Sequence, residues 1–412
     1  MTRKFLAGIT GVLICAAVAV AQNAPQKGKI KKIDVDKGIV TITAEDKDRE
    51  LALTDDTKMP GVPPKEVKDL LKTFKEGTEV MFIAGTKDGK DVLVGIKRRA
   101  DDLPVKVDTS AFKPLTELGL SEYEGYKGGL YPDGKNERPG EHEVAGVALA
   151  KTVRPLDADG KPAADGKIVL LSVGMSNTTQ EFQVFKRLAD ADKDKNAKLV
   201  IVDGAQGGMT AARIVDPDDK GAGAKFWKTA DERLKQAGVS AAQVQVVWVK
   251  EADAGPTDKF PKHAETLQAE LSQIARLLHK RFPNVKLVYF SSRIYAGYAT
   301  TKLNPEPYAY ESGFAVKWLI EQQLKGDKAL NYDADKGEFK APWLGWGPYL
   351  WANGAAKRAD GLVYDRDDLG GDGTHPSPSG ARKVAKQLLE FFKKDSTAKP
   401  WFVGSSSLDH SR

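Results

Sequence analysis

The chain has a single cysteine, Cys15, and it lies inside the first apolar stretch. Without that stretch the remaining chain has no disulfide, no thiol nucleophile and no cysteine-based metal site. Long apolar runs are missing after the opening residues, which excludes a bundle of membrane-spanning helices and predicts a soluble mature protein. An excess of one charge is missing too. The 63 Lys and Arg against 57 Asp and Glu leave a net charge of +6, or +4 once Arg3 and Lys4 are removed with residues 1–21. No concentrated basic field results, so nucleic acid is not an expected partner. Nothing repeats at a fixed period, which excludes a solenoid. What is present is a length of 412 residues, suited to two domains, and 41% apolar residues, enough for a real core.

The first residues read as an export signal. Arg3 and Lys4 precede an apolar run from Phe5 to Val20, too short to span a bilayer, and Ala19-Val20-Ala21 supplies the small-x-small pattern of a cleavage site. The expectation is a secreted or periplasmic protein, cleaved near Ala21, with no stable membrane insertion.

Residues 27–99 read as a small OB-like β-barrel domain. Gly28–Val35, Gly38–Thr43 and Arg49–Leu53 are short strands rich in β-branched residues, and Pro64–Phe74 has helical spacing. Glu79–Ala84 and Asp91–Lys97 return to strands, which is the element order of a five-stranded barrel. With only Phe74 and Phe82 as aromatics, the barrel lacks a platform for stacking bases. It is either an accessory module or a ligand-binding one.

Residues 105–395 are expected to form a three-layer α/β domain, followed by a tail over 396–412. Ile168–Val173, Leu199–Val202, Val244–Val249 and Val285–Phe290 are short apolar runs, as strands covered on both faces must be. Helical patterns at about 179–190, 224–236, 261–281 and 308–324 lie between or after them, and a last helix starts at Ser377-Pro378 with Ser as cap. The alternation gives a parallel sheet.

In such a sheet, ligands bind beyond the carboxyl ends of the strands. Ser176 follows the first strand and opens a helix, where N–H groups can stabilise an anion. The second strand runs into Asp203-Gly204-Ala205-Gln206-Gly207-Gly208, whose glycines allow close backbone approach, as an oxyanion hole or an ordinary tight turn requires. Asp372-Gly373-Thr374-His375 precedes the last helix, and an Asp three residues before a loop His can orient it as a general base. Asp365, Asp367, Asp368 and Asp372 also leave a metal reading open, though no metal-loop spacing is present.

Taken together, Ser after strand one, Gly after strand two and Asp-x-x-His before the last helix resemble the block order of the SGNH (GDSL-type) hydrolases over residues 167–392. Gly129-Leu130-Tyr131-Pro132, Gly174–Phe182, Trp248-Val249-Lys250, Ser291–Tyr298 and Asp372–Pro376 are similar to secreted bacterial SGNH-like proteins. The resemblance implies a serine esterase acting through an acyl-enzyme, without metal or other cofactor, often on acylated carbohydrate. It implies Ser176 as nucleophile, His375 as base and Asp372 as its orienter. The N–H groups of Ser176 and of Gly207 or Gly208 would form the oxyanion hole. Two departures stand out: Met175 replaces the usual Asp before the serine, and Lys250 stands where an Asn should donate to the oxyanion. Lys250 is then either the replacement donor or the partner of Glu251 or Asp253. Its presence also favours the rival reading, a non-catalytic glycan- or envelope-binding protein on the same scaffold.

Further ligand contacts are expected from Asn177, from Tyr295 and Tyr298, and from Trp346 in a Gly/Pro-broken aromatic stretch with Trp343, Tyr349 and Trp351. Arg293 either binds an anionic substrate group or forms a buried ion pair.

Overall fold

The computed structural model describes residues 21–98 and 107–404, except 23, 35, 60–66, 69–70, 72–73, 75, 217 and 219. The expected export signal up to residue 20, most of the helix expected over 64–74, and the last eight residues lie outside the described residues. The chain divides into two units, 1–103 and 104–412.

In the first unit the alternation of β-branched and polar residues yields β1 (Gln26–Asp34), β2 (Ile39–Ala44), β3 (Lys47–Lys58), β4 (Glu79–Lys87) and β5 (Lys90–Arg98). The first three form an antiparallel meander. Strand β3 pairs parallel with β5, β5 antiparallel with β4, and β4 antiparallel with β1, so the sheet closes on itself. Ala21–Gln22 adds a short pairing to β4. Every second residue of β2 is buried, and Val40, Ile42, Leu51, Phe82 and Leu93 fill the interior. Strand β3 runs five residues past the expected Leu53, because its far end re-enters the ladder with β5 and Thr57 Oγ1 donates to Leu93 O at 2.7 Å.

In the second unit β6 (Ile168–Gly174), β7 (Leu199–Asp203), β8 (Val244–Lys250), β9 (Leu287–Phe290) and β10 (Trp343–Trp346) form a parallel sheet in the order β7-β6-β8-β9-β10. Every residue of β6, β8, β9 and β10 is buried, which requires cover on both faces. The helices are α1 (Gly140–Lys151), α2 (Ser176–Asp190), α3 (Ala222–Gln236), α4 (Lys262–Arg281), α5 (Tyr308–Leu324) and α6 (Pro378–Lys394). Helix α2 packs on α6 and α4 on α5. The cap of α6 is as the sequence suggests: Ser377 Oγ accepts from the Ser379 and Gly380 N–H groups, with Pro378 in the first turn.

Two expectations about this unit are corrected. Trp343 and Trp346 belong to the fifth strand, not to an open aromatic loop. Part of the expected tail is core: Lys399–Phe402 is helical, and Trp401 and Phe402 are fully buried.

Candidate active site

The strand order places β7 and β8 on opposite sides of β6, so the chain leaves β6 in one direction and later returns on the other side. The crevice at this switch point, beyond the strand ends, is where a ligand fits. Ser176 sits there. Strand β6 ends at Gly174, where a Cβ would lie 2.5 Å from Lys250 O and would also strike Thr178 Oγ1. Only glycine lets the strand turn so tightly into α2. Met175 is extended, and Ser176 is the first residue of the helix.

The loop after β7 is tied to this turn. Gln206 N donates to Gly174 O at 2.9 Å, and Gln206 Nε2 donates to Phe226 O at 2.8 Å. Gly207 is thereby held against Ser176, where a Cβ on it would approach Ser176 Cβ to 3.9 Å. Gly208 turns away with φ +74°, and its carbonyl accepts from Arg213 at 2.9 Å. Asp203 accepts from Ser172 Oγ at 2.7 Å and from Thr179 Oγ1, bracing the start of the loop against β6 and α2.

The third part is the loop before α6. Asp372 Oδ1 accepts the Thr374 and His375 N–H groups, each at 3.0 Å, and its Oδ2 lies 2.6 Å from His375 Nδ1. Two backbone donors and a ring nitrogen leave the carboxylate little freedom. His375 Nε2 is 2.7 Å from Ser176 Oγ. Burial pushes the Asp372 carboxyl up, but the bonds from His375 and the two amides outweigh it and hold the group below the usual carboxylate range. With Nδ1–H facing the carboxylate, Nε2 is left to accept from the serine. Ser176, His375 and Asp372 thus form one hydrogen-bonded chain, able to deprotonate an alcohol and hold the resulting imidazolium. The loop is anchored from outside as well. Thr300 N donates to Asp372 O at 2.8 Å, and the Tyr298 backbone presses on Gly373, where φ is +66°.

Lys250 does not reach toward an oxyanion. Its Nζ bonds both oxygens of Glu181, at 2.7 and 2.6 Å, and neither side chain has any exposure. The partner is neither Glu251 nor Asp253. Burial raises the Glu181 carboxyl and lowers the Lys250 ammonium to about 8, while each attracts the other's charged form. Glu181 shares the buried stripe of α2 with Thr178, Phe182 and Phe185, and this spacing is the signal in the sequence that marks it.

Arg293 is also interior, not a surface anion receptor. It donates to Thr374 O at 3.3 Å, just behind His375. Burial lowers its basicity while Glu181 and Asp372 favour its charge, so it belongs to the cluster beneath the loop. Asn177 is 1% exposed, with its amide turned inward and without partners, so it does not face the crevice. Trp346 is likewise sealed in, with Nε1 donating to Leu130 O at 2.7 Å. Tyr295 is buried with its hydroxyl 3.2 Å from Thr109 Oγ1. Among the expected contact residues only Tyr298 keeps a partly open ring, edge-on to Tyr295 at 5.2 Å. No cluster of three or more His, Cys, Asp or Glu side chains able to hold a metal ion occurs among the described residues.

No family model matches the chain, and no curated protein is similar to it. Among solved structures, apo-CusF from Escherichia coli is similar over 21% of this chain and 96% of its own, with 18% identity and a TM-score of 0.16. A gut microbial diltiazem-metabolizing enzyme is similar over 58% of this chain and 48% of its own, with 17% identity and a TM-score of 0.31. The periplasmic domain of a lipopolysaccharide acetyltransferase from Salmonella ser. Paratyphi A is similar over 61% of this chain and 95% of its own, with 11% identity and a TM-score of 0.30.

Proposed function

We propose that the chain is an exported SGNH-type serine esterase that removes small acyl groups, acetyl first among them, from a carbohydrate. The observation that carries this reading is the unbroken chain of bonds from Ser176 Oγ through His375 to Asp372.

In this mechanism Ser176 Oγ attacks the ester carbonyl carbon while His375 Nε2 takes its proton. Asp372 holds the ring in the tautomer with Nδ1 protonated and stabilises the imidazolium. The carbonyl oxygen becomes an oxyanion, held by the N–H group of Ser176 at the start of α2, where the helix dipole adds to its effect, and by that of Gly207 in the loop after β7. The intermediate collapses, the C–O bond to the alcohol breaks, and His375 returns its proton to the leaving oxygen. Water, deprotonated by the same nitrogen, then attacks the acyl-serine, the bond from the acyl carbon to Ser176 Oγ breaks, His375 returns the proton to Oγ, and the carboxylic acid departs. A third, side-chain donor is not needed for these steps, but losing one such donor typically costs about 10²–10³ in rate.

The rival reading, a non-catalytic glycan- or envelope-binding scaffold, drew its support from Lys250. The buried pairing of Lys250 with Glu181 leaves the site without that side-chain donor, so what weighs against the rival is the hydrogen-bonded chain of Ser176, His375 and Asp372. The test is hydrolysis of 4-nitrophenyl acetate, beside esters of longer acyl chains, by the mature protein and by Ser176→Ala. Turnover of the acetate that the substitution abolishes supports the esterase. Equal inactivity of both proteins on these esters and on acetylated glycans would return the binding-protein reading to first place.

A further inference from the structure

A second cavity, of about 200 Å³, lies on the same edge of the sheet as Ser176. Its wall begins with Ala252 and Asp253, just past the end of β8, whose Lys250 is in register with Gly174. The segment after β7 is tied to this wall, since Ala211 N donates to Ala252 O and Ala212 N to Asp253 Oδ1. Leu303 and Asn304, from the segment that also anchors the Asp372 loop, are tied to it too, through Gly255 N on Leu303 O and Asn304 Nδ2 on Asp253 O.

The charged groups lining this space are carboxylates. Asp253 and Asp258 line it, and among the described residues its lining includes no lysine or arginine. Behind Asp253 stands Glu270, whose carboxyl is pushed up to about 9 by burial and by the neighbouring Asp253. The Asn304 side chain, 4% exposed, also borders the cavity, and its carbonyl oxygen has no partner. A buried acceptor left alone costs about 1–3 kcal/mol, and a donor from a ligand removes that cost. His263 is fixed on Glu311, which also accepts from Tyr123 Oη at 2.6 Å, and the Tyr308 ring meets His263 edge-on at 4.7 Å. Tyr308 gives the cavity an aromatic wall, and Thr257 and Thr266 give it hydroxyl groups.

We propose that this cavity binds a primary ammonium group carried on a small hydroxylated ring, the chemistry of an amino sugar. An ammonium has three donors and one positive charge, which match Asn304 Oδ1 and the two aspartates. The ring's hydroxyls meet the threonines, and its apolar face meets Tyr308. Among the described residues no three His, Cys, Asp or Glu side chains converge here as a metal ion needs, whereas an ammonium can also use the Asn304 carbonyl. The proposal stands on the cavity and does not depend on acyl chemistry at Ser176.

The experiment is therefore a binding titration in the full mature chain carrying Ser176→Ala, followed by NMR, with glucosamine, glucose and N-acetylglucosamine as probes. Glucosamine is expected to bind at least about tenfold more tightly than the two neutral sugars. Asp253→Asn should weaken it by about tenfold and the more exposed Asp258→Asn by about threefold. Asp253 also caps backbone groups, so its variant is checked for folding by tryptophan fluorescence, while Asp258→Asn keeps the test independent. Equal binding of the three sugars, no binding of any, or unchanged binding in both variants would overturn the proposal. Failure of the esterase assay leaves these outcomes untouched.

Discussion

Replacing Lys250 with Met tests whether its charge acts in the site or beneath it. Lys250 and Glu181 are both without exposure and share two short hydrogen bonds. Removing the ammonium leaves a buried carboxylate that must either stay charged without its partner or take up a proton. Breaking such a pair from one side costs about 3–5 kcal/mol, whereas replacing both partners by apolar residues of similar size is often close to neutral. Nearby Arg293 supplies some compensating charge, which points to the lower end of that range. At about 2 °C per kcal/mol for a unit of this size, Lys250→Met should melt roughly 6 °C lower. The pair Lys250→Met with Glu181→Leu should recover most of the loss. All seven tryptophans lie between residues 227 and 401, so their fluorescence reports on the large unit alone. The double variant, refolded to near parental stability, is expected to keep ester hydrolysis within about tenfold of the parent. If Lys250→Met instead melts like the parent while kcat falls 10²-fold or more, Lys250 is an oxyanion donor and the pairing argument fails.

Two further outcomes follow from positions that have little room. Gly373→Ala places a Cβ against Tyr298 O at a φ of +66°, and should cost about 1–3 kcal/mol, with loss of hydrolysis exceeding loss of binding as the His375 loop shifts; unchanged kcat would refute this. Burial lowers His142 from 6.5 to about 4, because its ring is sealed against Trp343. The unfolded chain therefore binds the proton first, and stability present above pH 6.5 is lost as pH falls toward 4, at about 1.4 kcal/mol per unit. In His142→Gln the slope of stability against pH over that window should flatten, and an unchanged slope in urea titrations would refute the assignment.

The sheet was legible because its strands are buried on both faces and so appear as uninterrupted apolar runs. Ile168–Val173 and Val244–Val249 were expected within one residue of where they end. Trp343–Trp346 was not, since four residues flanked by Pro342 and Gly347 carry neither an alternation nor a run long enough to separate a strand from a loop. That ambiguity turned two core tryptophans into expected ligand contacts. Ser176 and the Gly207-Gly208 pair follow strand ends, which a parallel sheet brings to one edge, whereas the Asp372–His375 loop follows no strand directly and was expected there from its Asp-x-x-His spacing and the resemblance. Direction of the side chain was the part that chain order does not carry. Asn177 and Ser176 are neighbours, yet on a helix they point about 100° apart, one outward and one into the core.

The same reasoning explains what Lys250 does at the end of β8. An Asn there would be neutral and could face the crevice at small desolvation cost. A lysine at a position with no exposure must find a carboxylate, and α2 supplies Glu181 on its buried stripe, 69 residues away in the chain. Once that pair exists, further charge collects around it: Arg293 reaches Thr374 O behind His375 and interacts with Asp372. The cations and Glu181 largely offset one another beneath the serine helix, leaving Asp372 as the carboxylate bonded directly to the imidazole. The attraction between Arg293 and Asp372 also favours the ionised form of Asp372, which stabilises the imidazolium of the proposed first step. Lys250 thus lies beneath the serine helix and away from the crevice, and under the proposed esterase mechanism the oxyanion would rest on the backbone N–H groups of Ser176 and Gly207.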